Sequence, residues 1–272
     1  MDVAVVIPVF NQAHYTRNCL DTLREAGVAE NSVLVVDNGS TDDTAACLAA
    51  RPLVRVIRND TNRGCGGAWN QGTQAGSATW TVLLNNDVLI PHGWLEGLRA
   101  FAEDEGFDVA SPAICNGVKV DYDFPAYARQ FMSRMQRVKR VGTASGVCFM
   151  VHERVFKAVG FFDEDRRLGG YEDDEFFRRC RQAGFRLGRT GRSFLHHFGS
   201  VTQKAMKADM RQPNASLGDR EYYRQKYGLT WLKRRRARMM WGLQCARWRL
   251  SERWRYGCTL VSHREGGKFI WE

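Results

Sequence analysis

Four consecutive carboxylates follow Tyr171, in the segment Tyr171-Glu-Asp-Asp-Glu175. Residues 170–184 predict a helix that starts acidic and ends at a glycine. One or two acidic residues at a helix start are explained by their favourable interaction with the helix dipole, but four in a row exceed that need. Because crowded carboxylates raise one another's pKa, the cluster favours a general base that accepts a proton near neutral pH.

A second candidate for chemistry is Asp37, which follows the apolar run of residues 32–36 and opens the segment Asp37-Asn-Gly-Ser-Thr-Asp42. A carboxylate at a strand end can accept the imide N–H of uracil or thymine. It can equally hold the turn through its own backbone, as an Asx-turn. Because a carboxylate has two oxygens, both interpretations stay open.

The glycine-rich segment of residues 62–72 predicts the entry into a helix. It lacks the G-x-G-x-x-G spacing of a dinucleotide fold, because Trp69 and Asn70 stand where the third glycine is needed, and this excludes a dehydrogenase. Glycines at a helix start let the free N–H groups approach an anion closely. Arg63 is placed to contact a base or a diphosphate, with an ordinary surface arginine as the alternative.

Strands that alternate with helices must position these groups. Buried strands are predicted at residues 3–10, 32–36, 54–57 and 79–84, with helices over residues 14–26 and 64–76. This alternation predicts an α/β fold with a doubly wound, mostly parallel sheet flanked by helices. Ligands of such sheets bind beyond the carboxyl ends of the strands. Asn11, Asp37 and the triplet Asn85-Asn86-Asp87 follow strand ends directly, so we expect them to share one cleft.

The second half of the sequence is less regular. It predicts a helix over residues 92–103 and strands over residues 107–111, 141–151 and 192–195. Residues 120–140 mix aromatic and basic side chains, and we interpret them as a mobile segment over the cleft.

Five motifs in register resemble glycosyltransferase family 2, whose members have the GT-A fold. They are Val6-Ile-Pro-Val-Phe-Asn11, Val35-Val-Asp-Asn-Gly-Ser-Thr-Asp42, Asn62-Arg-Gly-Cys-Gly-Gly-Ala-Trp-Asn-Gln-Gly72, Leu83-Leu-Asn-Asn-Asp-Val88 and the region from Gly146 to Phe185. The resemblance covers about residues 3–200. It implies an inverting transfer of a sugar from a nucleotide-diphosphate donor to an acceptor hydroxyl.

The resemblance also implies roles for individual residues. Asp173 is expected to be the base that deprotonates the acceptor, with Glu172 and Asp174 as alternatives. The nucleotide-sugar site is expected to include Pro8, Phe10, Asn11, Asp37, Asn38, Arg63, Gly67, Asn85 and Asn86.

A divalent cation, Mn²⁺ or Mg²⁺, is implied by the position of Asn85-Asn86-Asp87, which matches the Asp-x-Asp metal motif of the family. Only Asp87 is a carboxylate here, so the first position departs from the family pattern. A histidine that completes the metal shell in some members is assigned to His196 by its spacing to Ser200, with His197 as the alternative. A lone histidine at a strand end is more often structural.

The bulk composition agrees with a globular enzyme: 272 residues, 44% hydrophobic. The N-terminal run predicts a strand and not a signal peptide, and no apolar run is long enough to cross a bilayer. The eight cysteines form no C-x-x-C pair, which favours free thiols over disulfides or a zinc site. We expect the protein in the cytoplasm.

The net charge of +10 resides in the C-terminal part: residues 224–272 contain 13 Lys or Arg and three Glu. We therefore divide the chain into a GT-A nucleotide-sugar transferase domain, residues 1–220, and a basic Trp/Arg-rich helical extension, residues 221–272. Residues 231–256 predict a helix that could lie on an anionic membrane surface at the inner face of the cell membrane. A solvated charged face is the alternative, and nucleic-acid binding is disfavoured because the remaining chain is neutral.

Two other functions compete with sugar transfer. A degenerate, non-catalytic member would bind nucleotide sugar or glycan without turnover; Asn85 favours this, and the acidic cluster argues against it. A sugar-nucleotide synthesising enzyme usually has a glycine-rich basic loop after the first strand, where this chain has Asn11-Gln12-Ala13. We expect a UDP- or dTDP-sugar donor and a saccharide or lipid-linked glycan acceptor.

Overall fold

A computed structural model describes residues 2–199, 201, 202, 218 and 220–272. Strands and helices alternate through the first half of the chain, as predicted. The strands are β1 (Val3–Val9), β2 (Val33–Asp37), β3 (Arg55–Arg58), β4 (Trp80–Leu84), β5 (Val88–Leu89), β6 (Val109–Asn116), β7 (Lys139–Val141), β8 (Cys148–His152), β9 (Leu187–His197), β10 (Val261–Glu265) and β11 (Lys268–Trp271). The helices are α1 (Ala13–Glu25), α2 (Thr44–Ala49), α3 (Gly64–Gln74), α4 (Trp94–Glu105), α5 (Phe124–Met135), α6 (Glu153–Val159), α7 (Glu172–Gln182), α8 (Arg220–Lys226) and α9 (Trp231–Tyr256).

One central sheet runs in the order β11-β10-β6-β8-β4-β1-β2-β3. The half that contains β4, β1, β2 and β3 is parallel throughout. Beyond β4 the sheet is mixed, because β8 lies antiparallel between β4 and β6. The prediction of an α/β fold with a doubly wound sheet and flanking helices is confirmed, and the parallel part is the half that carries the motifs of β1, β2 and β4.

The sheet is buried on both faces, which explains the continuous apolar run of β1. Val5, Ile7 and Val9 face a core cluster shared with α1 and α4. Val6 faces a second cluster, which it shares with Trp69 of α3 and Phe149 of β8. Because both faces are covered by helices, the carboxyl ends of β1, β2 and β4 are the part of these strands that remains open to a ligand.

The prediction of a mobile segment at residues 120–140 is wrong. Most of the segment is α5, which begins at a cap where the Asp123 side chain accepts a hydrogen bond from Ala126 N–H at 3.0 Å. Phe124, Phe131 and Met135 recur on one face of the helix and are buried in a third core cluster. The aromatic residues of this segment therefore pack α5 against β9.

The single strand predicted over residues 141–151 is also wrong. It is divided into β7 and β8, and the bend between them carries Gly146. The two strands separate because they pair with different partners: β7 pairs with β9, whereas β8 pairs with β4. This bend brings residues 143–147 to the open edge of the sheet.

The C-terminal part contributes strands as well as helices. After α9, β10 pairs in parallel with β6, and β11 pairs with β10. The boundary at residues 220/221 stays a prediction. The aliphatic stripe of α9 is exposed: Leu232, Met239, Leu243 and Leu250 retain 59–69% of their accessible surface. No helix among the described residues is long and apolar enough to cross a membrane.

Candidate active site

Asp37 lies at the carboxyl end of β2, and its side chain is buried. Its Oδ1 accepts a hydrogen bond from the backbone N–H of Ser40 at 2.9 Å, which closes the turn. Its Oδ2 is buried without a hydrogen-bond partner among the described residues, and the Nε of Arg58 is 3.7 Å away. A buried carboxylate oxygen without a donor is costly. One oxygen therefore holds the turn, and the other can accept a ligand N–H.

Asn11 and Asn38 shape the loops around Asp37. Asn11 has a left-handed backbone with φ 54°, and its Oδ1 accepts a hydrogen bond from Thr41 N–H at 2.8 Å. The Asn38 Nδ2 donates to the carbonyl of Gly64 at 3.1 Å, and its Oδ1 accepts from Asn59 at 2.9 Å. Because both ends of its amide are occupied, Asn38 joins β2 to α3, and the geometry does not support its predicted direct contact with the nucleotide.

Pro8 and Phe10 are half-buried at the end of β1. Because side chains alternate along a strand, Pro8 lies on the same face as Val6. Val6 packs beneath α3 so closely that a Cβ on Gly72 would lie 2.2 Å from its Cγ1. The end of β1 is therefore held against α3. Contact of Pro8 and Phe10 with a base or ribose stays a prediction.

Arg63 and Gly67 lie at the start of α3, beside a small cleft that Glu172 also lines. The Arg63 Nη2 is 3.2 Å from Glu164 Oε2, and both side chains are 45% exposed. An ion pair so exposed is worth about 1 kcal/mol or less, so an incoming diphosphate can replace the Glu164 carboxylate. A Cβ on Gly67 would lie 3.2 Å from the Arg63 Cβ, and glycine at this position leaves room for the Arg63 side chain.

In the triplet Asn85-Asn86-Asp87 after β4, one side chain stabilises the loop and the other two can meet a ligand. Asn86 Nδ2 donates to Thr16 Oγ1 of α1 at 2.9 Å in a buried contact. This contact holds the loop against α1. Asn85 is half-buried and Asp87 is buried. The geometry thus leaves Asn85 and Asp87 as the members of the triplet that can meet a ligand.

His197 lies beside Asp87, and His196 does not. The His197 Nε2 is 3.4 Å from Asp87 Oδ1, and its Nδ1 is 2.8 Å from Asn116 Oδ1. The ring of His196 points to the other face of β9, where Nδ1 meets Tyr122 Oη at 2.9 Å and Nε2 meets the Gly117 carbonyl at 2.8 Å. Successive side chains of a strand face opposite ways, so the geometry favours the alternative, His197, over His196 as the partner of Asp87, and the role of either as a metal ligand stays a prediction.

Asp87 is held in its charged form. Burial by itself raises its pKa, but the hydrogen bond and charge of His197 and the backbone N–H of Val201 together lower it more, so the pKa lies below its usual value. A carboxylate and an imidazole side by side fit a hard divalent cation that takes its other ligands from substrate phosphates and water. The described residues contain no cluster of three or more acidic, histidine or cysteine side chains around one metal position.

At the start of α7, the pKa values of Glu172, Asp173 and Asp174 are raised and not lowered. Burial raises the pKa of Asp173 to about 7, and the charges of Asp174 and Glu172 contribute to the increase. Burial also raises the pKa of Glu172, whose Oε2 has no hydrogen-bond partner within the described part of the chain. Asp174 is exposed. Asp173 therefore combines partial exposure with a pKa near neutrality, which is what a general base requires.

The β4 end and the α7 start are related through two intermediate groups, Cys65 and the segment before β8. Burial raises the pKa of Cys65 in α3, and the charges of Glu172, Asp173 and Asp87 raise it further, so all three carboxylates act on one thiol. The backbone supplies the second link: Asn85 N–H donates to the Val147 carbonyl at 2.9 Å. A Cβ on the adjacent Gly146 would lie 1.9 Å from Asp173 Oδ2. The structure thus relates Asp87 to Asp173, whereas the convergence predicted for Asn11, Asp37 and the triplet Asn85-Asn86-Asp87 stays a prediction.

Sequence reasoning missed Gly146, Asn116 and Glu164. Asn116 ends β6, but the sequence predicted that strand only as far as residue 111, so the strand-end rule that selected Asp37 did not reach it. Glu164 had no signal, because its contact with Arg63 spans 101 positions. The need for glycine at position 146 depends on a side chain of α7 and is visible only in three dimensions.

The sequence model of the family described as Glycosyl transferase family 2 matches residues 4–160. Glycosyltransferase AglE of Haloferax volcanii is 25% identical over 250 residues, which cover 84% of this chain and 78% of AglE. An N-acetylglucosaminyl-diphospho-decaprenol L-rhamnosyltransferase of Mycobacterium tuberculosis is 29% identical over 222 residues, with 68% and 72% covered. Other relatives are longer: the chain spans 40% of a pre-mycofactocin glycosyltransferase from the same species.

The fold has solved counterparts. The mannosyltransferase PcManGT of Pyrobaculum calidifontis, solved in complex with GDP-Man and Mn²⁺, superposes with a TM-score of 0.56 at 20% identity. The superposition covers 73% of this chain and 57% of the mannosyltransferase. The prediction of a GT-A fold is confirmed.

Proposed function

We propose that this chain, which belongs to glycosyltransferase family 2, transfers a sugar from a nucleotide-diphosphate donor to an acceptor hydroxyl and inverts the anomeric configuration. The observation that carries the proposal is the contrast between two carboxylates: Asp87 beside His197, which suits a cation, and Asp173 against Gly146, whose pKa burial raises to about 7, which suits a base. A protein that only binds nucleotide sugar needs a cation site but has no use for a general base.

Donor binding is assigned to the ends of β1, β2 and β4 and the start of α3. The free Oδ2 of Asp37 would accept the imide N–H of a uracil or thymine base, which favours UDP- or dTDP-sugars. Arg63 and the N–H groups at the start of α3 would contact the diphosphate.

Asp87 and His197 would hold a divalent cation, Mn²⁺ or Mg²⁺, which when bound would neutralise charge on the leaving diphosphate. The solved PcManGT complex contains Mn²⁺ and a nucleotide sugar, and this supports the assignment. Because the protein offers few ligands of its own, we expect cation and nucleotide to strengthen each other's binding.

Asp173 would take the proton of the acceptor hydroxyl as the oxygen attacks the anomeric carbon from the side opposite the diphosphate. A single displacement of this kind inverts that carbon. The helix start positions the carboxylate: its Oδ1 accepts a hydrogen bond from Asp174 N–H at 2.9 Å, which leaves Oδ2 beside Gly146 for the acceptor.

A saccharide or a lipid-linked glycan is the proposed acceptor, and the name of the mycobacterial relative, an N-acetylglucosaminyl-diphospho-decaprenol L-rhamnosyltransferase, includes a lipid-linked diphosphate. The exposed aliphatic stripe of α9, with arginines beside it, supports attachment to an anionic membrane surface. Co-sedimentation with vesicles of phosphatidylglycerol at low salt tests the attachment, and a protein that stays in the supernatant contradicts it.

Isothermal titration of UDP, dTDP and GDP, each with and without Mn²⁺, tests the donor site. We expect one nucleotide to bind and Mn²⁺ to strengthen it in the wild-type chain but not in Asp87→Asn. Slow hydrolysis of the matching nucleotide sugar, followed by NMR of the released sugar, reports turnover and inversion. Binding without any turnover would favour the non-catalytic alternative.

A further inference from the structure

A cavity of about 540 Å³ separates the inner side of α9 from the sheet. Its volume falls in the range of small-molecule sites. The cavity has a basic and aromatic lining that includes Arg140, Thr143, Arg189, Trp241, Trp248 and Arg249. None of these residues belongs to the donor site described above.

Arg140 of β7 and Arg189 of β9 stand directly opposite each other in an antiparallel pair. Both are buried, with 5% and 9% of their surface exposed. Like charges directly opposite on neighbouring strands destabilise a sheet, and a buried cation without a counter-ion costs more still. An arrangement with this cost requires an anion that compensates it.

Of the two arginines, only Arg140 forms hydrogen bonds with the acidic residues near the cavity. Glu252 receives both Nε and Nη2 of Arg140, at 2.8 and 2.9 Å, and its Oε2 also accepts the Leu260 N–H at 2.9 Å. The other carboxylate, Glu272, bonds to His263 at 2.7 Å. Its backbone carbonyl accepts Arg140 Nη2 at 2.8 Å.

Arg189 has no direct ion pair with an anion among the described residues, and the charges of Glu252 and Glu272 act on it without contact. Its Nε is buried with no hydrogen-bond partner, and neither of its terminal nitrogens donates a hydrogen bond to any described residue. Burial and the charge of Arg140 lower its pKa to about 10, against the opposing effect of Glu252 and Glu272, so the side chain is a cation at neutral pH. The guanidinium of Arg189 is thus about nine-tenths buried and lines the cavity, and its N–H groups donate no hydrogen bond to any described residue.

The cavity lies next to the proposed base. Ala144 lines it and packs against the core cluster beneath α7. Two residues further along is Gly146, the residue in closest contact with Asp173. Trp241, which lines the cavity, and Met240 of α9 are also 52% and 58% exposed to solvent. A ligand with an anionic group in the cavity would have the base on one side and an apolar surface on the other.

We propose that this cavity binds a phosphate group through Arg189 and Arg140, and that in the proposed reaction this is the phosphate or diphosphate that links an acceptor sugar to its lipid. Arginine binds phosphate oxygens in bidentate pairs, which would satisfy the unused donors of Arg189. The identity of the acceptor rests on the proposed function; the anion site rests only on the cavity.

Titration calorimetry of the full chain in EDTA tests the site, because the chelator removes the cation from the donor cleft. The probes are inorganic pyrophosphate, farnesyl diphosphate and vesicles of phosphatidylglycerol. Arg189→Gln is expected to weaken both diphosphates by about tenfold or more. Arg247→Gln, which removes an exposed charge from α9 outside the cavity, is the matched control and is expected to bind as the wild type does.

A melting curve separates a ligand site from a structural role. Loss of a buried, unpaired cation is expected to leave the Tm of Arg189→Gln unchanged or raised. If that variant fails to fold, Arg249→Gln at the exposed rim is expected to weaken the diphosphates severalfold. Binding of both diphosphates by Arg189→Gln and Arg249→Gln at wild-type strength overturns the proposal.

The probes also identify the source of the phosphate. Tighter binding of farnesyl diphosphate than of pyrophosphate supports a lipid-linked acceptor, whereas Arg189-dependent binding of vesicles alone contradicts it. UDP and dTDP titrations with Mn²⁺ should be unaffected by Arg189→Gln. A wild-type chain that binds no nucleotide but keeps Arg189-dependent diphosphate binding would refute the proposed donor and leave the anion site intact.

Discussion

At the end of β4, Asp87 has a histidine and a backbone N–H for neighbours, whereas at the start of α7 Asp173 has two further carboxylates. Both aspartates are withdrawn from water, and burial alone would raise the pKa of each. The surroundings decide the outcome: the pKa of Asp87 lies below its usual value, and that of Asp173 rises to about 7. One carboxylate is suited to hold a cation permanently and the other to exchange a proton.

The comparison shows that a cation site and a general base in one cleft need opposite electrostatic surroundings. A bound cation near Asp173 would lower its pKa and weaken it as a base. Glu172 and Asp174 supply negative charge that opposes this effect. That need accounts for the acids on either side of Asp173, whereas the fourth acid of the run, Glu175, is paired with Arg179 at 2.7 Å.

The largest expected effect comes from Asp173→Asn. If Asp173 is the base, kcat falls by about 10²–10⁴-fold because no side chain takes the proton of the acceptor hydroxyl. The affinity for the nucleotide, measured by calorimetry, is expected to be unchanged. Asp174→Asn is the control, since it changes the adjacent exposed residue in the same way and should retain most of the activity. Equal loss in both variants would show that the cluster acts only through its charge.

The second expected effect is on the cation site. Asp87→Asn should weaken Mn²⁺-dependent nucleotide binding by about 10–100-fold, and His197→Gln should weaken it less, because a carboxylate is the harder ligand. His196→Gln is a matched control one position away on the opposite face of β9. A larger effect at His196 than at His197 would contradict the geometry.

The two histidines also show which kind of feature cannot be predicted from the sequence. Buried strands, turn chemistry and the rule that ligands bind at strand ends predicted β1, β2, β4 and the cleft, because each depends on local pattern. The choice between His196 and His197 depends on which face of β9 meets Asp87, and that is fixed by the pairing of β9 with β5 and β6. The packed α5 and the opposed pair Arg140–Arg189 were hidden for the same reason.

Gly146→Ala is expected to have a smaller effect than either carboxylate change. The new Cβ would lie 1.9 Å from Asp173 Oδ2 and 2.6 Å from Cγ, so the carboxylate must move. A displaced base lowers kcat by about tenfold, by analogy with other small misplacements, and Mn²⁺-dependent nucleotide binding should stay at the wild-type level. A change confined to nucleotide affinity would indicate that residue 146 belongs to the donor side of the cleft.

The smallest expected effect is a shift of the pH profile, and it tests the electrostatic part of the comparison directly. Asp173 acts as a base only when it is deprotonated, so kcat/KM should rise with pH through about 7 and then level off. Asp174→Asn removes one of the charges that raise the pKa of Asp173, so its profile should move to lower pH by several tenths of a unit. Measuring kcat/KM at saturating Mn²⁺ across the range keeps the cation site occupied, so that the midpoint reports the base. Burial, the larger cause of the raised pKa, is untouched by this substitution, so the midpoint should remain well above that of an ordinary aspartate. A midpoint identical in the two proteins would mean that the charge of Asp174 does not contribute to the pKa of Asp173.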